Sequence, residues 1–174
     1  MEGRCLSTAP KALHVGCGAD PAPAWLAGYD EVRLDIDASH SPHIVASMTC
    51  LGDIGQYDMV YCSHALEHLL PHEVQTALGE FKRVLKPNGG VVIMVPDLED
   101  VPCDDAVLYE SPAGPIRGAD LYYGFRSELE RNPYMAHKTG FVATTLQAEL
   151  EAAGFRSVTT KRLDCYNLMG AGLK

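Results

Sequence analysis

The 174-residue sequence contains no apolar run approaching the length of a membrane span, and its opening stretch, MEGRCLSTAPK, lacks the apolar core of a secretory signal. No membrane partner is expected, and a cytoplasmic location is. Six cysteines (Cys5, Cys17, Cys50, Cys62, Cys103, Cys165) are scattered without a C-x-x-C pair. That argues against a disulfide framework or a thiolate zinc site and suits reduced thiols. Positive charge is scarce: Lys and Arg number 14 against 23 Asp and Glu, for a net charge of −9. A nucleic-acid backbone is therefore not expected as the main partner, because phosphate binding needs a basic face. Internal repeats, charge blocks and low-complexity tracts are also missing. What remains is a chain of ordinary hydrophobic content, 47%, long enough to bury a core as a single domain over residues 1–174.

The stretch KALHVGCGADPAPAWLAGYDEVRLDID, Lys11 to Asp37, organises the rest. A short apolar run ends abruptly in Gly16-Cys17-Gly18. Glycines directly after a buried strand let the backbone turn tightly and approach a ligand that a Cβ would push away. A second run, Val32–Ile36, delivers Asp35 and Asp37 roughly twenty residues later, the spacing at which an acid meets a ribose in doubly wound α/β folds. A nucleoside ligand is expected. A dinucleotide fingerprint, however, wants a third glycine and a helix N-terminus for the pyrophosphate. Pro21 stands there instead, preceded by Asp20, whose carboxylate would repel a pyrophosphate, and no Lys or Arg follows in sequence to compensate. S-adenosylmethionine carries a sulfonium and an ammonium and no phosphate, so the acids favour it over NAD. The bland alternative is a tight strand-to-helix turn with no ligand.

Further along, Pro21, Pro23 and Gly28 leave room only for a short helix around Ala24–Leu26, with Trp25 expected as a packed anchor. Strands are expected at His43–Ala46, Tyr57–Cys62, Gly90–Val95 and Phe155–Leu163, and Tyr166–Lys174 reads either as a further short strand or as a fraying end. Between Leu66 and Leu85, apolar residues recur at helical spacing, with Pro71 marking a break and Lys86-Pro87-Asn88-Gly89-Gly90 a stop. Thr144 and Gln147 suggest a capping box for a last helix that Gly154 closes. Residues 98–138 show little periodicity and much Pro, Gly, Tyr and Asp, so a lid or substrate insertion is expected there. Strands and helices in alternation give a Rossmann-like three-layer αβα sandwich around a mainly parallel, doubly wound sheet of six to seven strands. Its ligand sites would lie at the strand C-termini.

The ordered set LHVGCGADP, VRLDID, IVASM, YDMVYCSHALEHL, EFKRVLKPNGGVVIMVPDL and HKTGF…LEAAGF resembles the class I S-adenosylmethionine-dependent methyltransferases, in particular a compact bacterial group predicted to act on small molecules. The resemblance implies strand order 3-2-1-4-5-7-6 and methyl transfer to a small-molecule acceptor, with S-adenosylhomocysteine as product. It places the cofactor's methionine end against Gly16, Cys17 and Gly18, and the ribose hydroxyls on Asp35, with Ile36 beside it. Ser47 and Met48 meet the adenine, and Cys62 and Ser63 form the wall beside the reactive methyl. His14 falls at a cofactor-site position that is often Asp or Glu in the family, and Asp20 replaces a frequent small residue. The N-terminal helix that caps the cofactor in many relatives is not expected here, since the first strand reads as starting near Lys11. Either cofactor affinity is weaker, or a partner subunit, in the simplest case a homodimer mate, supplies the cover.

His64-Ala65-Leu66-Glu67-His68 also spells the inverted zinc-protease signature H-x-x-E-H, in which two histidines share one helix face. Its position directly after a strand in a methyltransferase-like frame reads against zinc; no metal is expected, and His68 reads as a packing or polar-network residue. Methyl transfer is an in-line displacement in which alignment supplies much of the rate. A hydroxyl or amine acceptor also benefits from a nearby base, for which His64 and His137 are the candidates. Asp97 reads equally as a substrate contact or a cap of the insertion, and Tyr109, Tyr122, Tyr123 and Tyr134 suit a substrate cover or plain packing. Cys62 is not expected as a nucleophile. Two rival readings stand beside methyl transfer: a non-catalytic cofactor-binding or interaction module of the same fold, and an NAD or nucleotide-sugar Rossmann enzyme.

Overall fold

The apolar run Gly90–Val95 carries the architecture in its alternation. Val91, Ile93 and Val95 enter the main core, while Val92 and Met94 pack against a smaller cluster on the opposite face. A strand apolar at successive positions is buried on both faces, as a central parallel strand must be. The computed structural model describes residues 9–174. Its strands are β1 (Lys11–Val15), β2 (Asp30–Asp35), β3 (Ile44–Val45), β4 (Tyr57–Ser63), β5 (Leu85–Pro96), β6 (Val107–Ser111), β7 (Gly114–Arg117), β8 (Arg156–Leu163) and β9 (Asn167–Leu173). Its α-helices are α1 (Pro71–Val84), α2 (Gly118–Tyr123), α3 (Arg126–Leu129) and α4 (Ala143–Ala152).

Seven strands form one sheet in the order β3-β2-β1-β4-β5-β9-β8, parallel except for β9, which runs antiparallel between β5 and β8. Counted within the sheet alone, this is the expected order 3-2-1-4-5-7-6, and the chain's last stretch is a strand rather than a fraying end. Helix α1 buries Val74, Ala77, Leu78, Phe81 and Val84 at the spacing of one helical face. Pro71 opens it, where a missing N–H costs nothing, and the Glu73 carboxylate accepts from the backbone N–H of Leu70 at 2.8 Å. Leu146 and Leu150 of α4 enter the same core. They sit tightly on Gly170 of β9, where a Cβ would lie 2.8 and 2.9 Å from their methyl groups. The cap of α4 differs from the expected Thr144–Gln147 pair: the N–H of Val142 donates to Thr145 Oγ1 at 3.0 Å.

On the other face of the sheet, the one-turn 3-10 helix Ala24–Leu26 presses Leu26 against Ala12 and Tyr61. Trp25, expected as an anchor, is 49% exposed and meets Tyr61 only edge-on at 5.3 Å. One turn of helix turns a single large side chain toward the sheet, and that side chain is Leu26. Residues 98–138 are not structureless. They form the β6–β7 hairpin, α2, α3 and a 3-10 turn at Pro133–Met135. Buried Asp120 knits this insertion together, accepting from Arg117 N–H and from Arg126 Nε, each at 2.9 Å. Asp97 caps its start: buried, it accepts from Arg162 Nε at 2.5 Å and from the N–H of Glu99 at 3.1 Å. No helix among the described residues is long and apolar enough to cross a membrane. Cys17, Cys50, Cys62, Cys103 and Cys165 are free thiols, and Cys5 lies outside the described residues.

Candidate functional site

At the end of β1 the chain turns through Gly16 and Gly18, both left-handed, with φ of 64° and 48°. A Cβ on Gly16 would lie 2.4 Å from that of Ala65, so this turn requires glycine on two counts. The turn is tied to β2 through the backbone, with Gly16 N–H donating to Leu34 O at 2.8 Å. A side chain completes the tie: Gly18 N–H donates to Asp35 Oδ2 at 2.8 Å, and Asp37 N–H to Asp35 Oδ1 at 2.9 Å. Arg33 holds the outer side, its guanidinium donating to the carbonyls of Asp20 and Gly18, each at 2.8 Å. No cation stands in the glycine loop itself, but Arg33 reaches it from the neighbouring strand.

These elements enclose a cavity of about 410 Å³, a size typical of small-molecule sites. The glycine turn and Asp20 form one wall, Asp35, Ile36 and Asp37 a second, and Ala46, Ser47 and Met48 a third. Ser63, His64 and Ala65 close it from the end of β4, and Asn132, Tyr134, Met135 and Lys138 of the insertion cover it. Thus Gly16, Cys17, Gly18, Asp35, Ile36, Ser47, Met48, Ser63 and His64, scattered over the sequence, share one cavity. Its lining carries the carboxylates of Asp20, Asp35, Asp37 and Glu73 against a single lysine, Lys138.

Three residues named from the sequence stand elsewhere. Cys62 is fully buried in the main core, because alternation along β4 turns it inward and gives the cavity to its neighbour Ser63. His14 shares the face of Tyr61, 5.0 Å away, and bonds Glu31 Oε1 at 2.7 Å. It lines a second, smaller cavity of about 220 Å³ that adjoins the first at Gly16, Asp20 and His64. His137 does not line the main cavity; its Nδ1 donates to Leu121 O at 2.9 Å, and burial lowers its pKa below the ordinary histidine value.

His64 itself lines both cavities and is left-handed, with φ of 48°. Its Nε2 meets Asn167 Oδ1 at 2.9 Å and its Nδ1 stands 3.5 Å from Glu67 Oε1. The Asn167 amide is oriented by its own nitrogen, which donates to Asp164 O at 2.9 Å, so its oxygen faces the imidazole. Burial disfavours the charged ring, but Glu67 and Asn167 outweigh it and raise the pKa above the ordinary histidine value. Burial pushes the Cys62 thiol far up, with Glu67 adding to the effect, and it also raises Cys17 against the opposing pull of Arg33. Neither thiol supplies a thiolate at neutral pH.

The residues of H-x-x-E-H do not take the helical arrangement of the zinc-protease signature. His64 follows the strand in a left-handed conformation, and only Leu66–His68 form a 3-10 turn, so no α-helix aligns His64 with His68. His68 faces His137 instead, with ring centroids 5.1 Å apart, and Glu67 is buried beside them. Of the four tyrosines proposed as substrate cover, Tyr134 lines the cavity. Tyr122 bonds Val101 O at 2.8 Å, Tyr109 stacks on Tyr166, and Tyr123 contacts Tyr122. Arg33 and Asn167 carry no local sequence signal for their roles, because each acts on a partner brought in by the sheet order.

The methyltransferase-domain family model matches residues 5–160. An uncharacterized methyltransferase of Synechocystis sp. is 28% identical over 108 residues, 55% of this chain and 50% of that protein. The chain thus matches about half the length of that relative. Among solved structures, an S-adenosylmethionine-dependent methyltransferase from Mesorhizobium loti superposes with a TM-score of 0.65 at 15% identity, over 95% of this chain and 91% of its own. The Burkholderia thailandensis 1,6-didemethyltoxoflavin-N1-methyltransferase, solved with bound 1,6-didemethyltoxoflavin and S-adenosylhomocysteine, gives 0.64 at 17% identity, over 95% of this chain and 71% of its own. Human N-acetylserotonin methyltransferase, in complex with SAM, gives 0.61 at 14% identity, over 95% of this chain and 48% of its own. At these identities the superpositions establish the fold.

Proposed function

Because this chain belongs to the methyltransferase-domain family, we propose that its main cavity binds S-adenosylmethionine and presents the methyl group to a small-molecule acceptor for in-line displacement. The observation that carries this reading is the pairing of the glycine turn with Asp35 at the mouth of an acid-rich cavity. A sulfonium and an ammonium are welcome among Asp20, Asp35, Asp37 and Glu73, whereas a pyrophosphate would meet those carboxylates with one lysine to help. The cradle leaves room for the cofactor as well, since nothing lies within 4 Å of where a Cβ on Gly18 would stand.

In this reading Gly16, Cys17 and Gly18 receive the methionine end. Asp35 binds the ribose hydroxyls: its oxygens each take one backbone N–H and keep a second lone pair for the ligand. Ile36, Ser47 and Met48 flank the adenine, and Ser63 stands beside the methyl. Asn132, Tyr134, Met135 and Lys138 of the insertion contact the acceptor. Of the two candidate bases, His64 lines the cavity and is retained; His137 is not.

The test is calorimetric titration with S-adenosylmethionine, S-adenosylhomocysteine and NAD, followed by methyl-labelled cofactor offered to a panel of hydroxyl and amine acceptors. Micromolar binding of the first two alone, with label transferred to an acceptor, is the expected result. Binding without transfer to any acceptor would favour a non-catalytic module, and NAD binding would overturn the cofactor assignment.

A further inference from the structure

Glu67 is 1% exposed, and neither oxygen of its buried carboxylate has a hydrogen-bond partner among the described residues. His64 Nδ1 forms a long ion pair with it at 3.5 Å. Buried polar atoms are nearly always satisfied, and a buried carboxylate held only by the long ion pair to His64 calls for a closer partner. Two imidazoles flank it. His68 Nδ1 lies 3.2 Å from the carbonyl of Ala136, and His137 Nδ1 lies 2.9 Å from that of Leu121. A carbonyl only accepts, so each Nδ1 donates, and in the neutral ring each Nε2 then offers its lone pair. Fixing the tautomer through a backbone carbonyl is how proteins prepare a histidine to bind a metal. One ligand atom from each of Glu67, His68 and His137 lies within 4.8 Å of the other two.

We propose that Glu67, His68 and His137 form a binding site for a divalent first-row transition-metal ion of the zinc type. Two imidazoles and one carboxylate are the ligand set of open zinc sites, and the mixed N/O set disfavours calcium and magnesium, which take all-oxygen shells. Bonds of about 2.0–2.2 Å would draw the three ligand atoms closer together. The chain is already arranged for this. Lys138 N–H and Thr139 N–H donate to the carbonyl of Glu67 at 2.8 and 3.1 Å, and Thr139 Oγ1 donates to Leu69 O at 2.7 Å. These bonds dock the end of the insertion, which carries His137, onto the turn that carries Glu67 and His68. The ion would pin the insertion to the sheet. His68 also lines the main cavity, so the ion would stand at its insertion side. On the methyl-transfer reading, that is where an acceptor oxygen or nitrogen would find the open coordination position.

The competing occupant of the space around Glu67 is a proton on one of the imidazoles, and titration of tag-free, chelator-stripped protein with zinc alone separates the two. One zinc per chain is expected, with affinity micromolar or tighter. Binding should fall at least tenfold in both Glu67→Gln and His137→Ala and persist in the surface variant His72→Ala. Cobalt substituted for zinc should give the visible d–d absorption of a four- or five-coordinate site, and His137→Ala should abolish it. Circular dichroism checks that each variant folds, and because two of them remove ligands from different segments, one misfolded protein does not rescue the idea. No zinc binding by the wild type, or equal affinity in all variants, would overturn the proposal. No cofactor is present in this measurement, so its outcome is independent of S-adenosylmethionine binding.

Discussion

The carboxylate of Asp35, at the end of β2, accepts the backbone N–H of Gly18 at 2.8 Å and thereby fixes the turn that ends β1. One residue thus both shapes the glycine loop and faces the ligand. Asp35→Ala should weaken S-adenosylmethionine binding by about 1–3 kcal/mol, the range for removing the partner of a hydrogen bond to a charged group. Asp35→Asn, which keeps an oxygen for one of the two N–H groups, should lose less. Calorimetry on both variants checks this, and unchanged affinity in the alanine variant would remove Asp35 from the site.

Gly16→Ala meets two separate obstacles, the left-handed φ of 64° and the Cβ of Ala65 at 2.4 Å. The conformational part alone costs roughly 1–2 kcal/mol, and the clash adds to it. Adding Ala65→Gly should relieve the clash but not the conformational cost. The double variant should therefore recover part of the denaturant midpoint lost by the single one. Full recovery would show that the backbone conformation is not strained by alanine.

The sheet was legible in the sequence because its strands are marked twice, by apolar runs such as Gly90–Val95 and by the glycines, prolines and acids that end them. The cavity walls were legible for the same reason: Gly16, Gly18, Asp35 and Ser63 stand at strand ends, where topology alone brings them together. The elements inside the insertion were not. Helices α2 and α3 are six and four residues long, too short for a 3.6-residue period to register. Cys62 points into the core because strand neighbours point to opposite faces, so a shift of one residue exchanges cavity for core, whereas His14 lines the smaller cavity that adjoins the main one. The contact between His68 and His137 joins segments far apart in sequence, and only the docked insertion creates it.

Asp120 predicts how the insertion responds to acid. Burial alone would raise its pKa, but the Arg126 side chain and the N–H groups of Arg117 and Arg126 outweigh burial and hold it below the ordinary aspartate value. A depressed carboxyl stabilises the folded state above its unfolded pKa of about 3.9, and that stabilisation is lost as pH falls through the lower folded value. The wild type should therefore lose thermal stability on acidification below about pH 4. Asp120→Asn should be less stable at neutral pH and show a shallower fall over the same range. Parallel thermal melts from pH 3 to 7 test this; parallel curves for the two proteins would contradict it.

Arg33 gives the sharpest separation between holding the site and holding the fold. Its guanidinium spans the carbonyls of Asp20 and Gly18, with that of Cys17 also in reach at 3.3 Å, while Glu31 stands 3.6 Å from it. It is partly exposed and lies outside the main core, so its removal should leave the melting temperature nearly unchanged while the turn over the cavity loosens. A lysine keeps the charge but cannot bridge several carbonyls with a planar fork. If geometry is what matters, Arg33→Lys should lose nearly as much S-adenosylmethionine affinity as Arg33→Met, about 1–3 kcal/mol for bonds to a charged donor. If the charge alone matters, for instance by offsetting the carboxylates of Asp20 and Asp35, Arg33→Lys should bind like the wild type and Arg33→Met alone should fail. Titrating both variants at low and high salt distinguishes the cases, since a geometric loss persists in salt whereas a purely electrostatic one is screened.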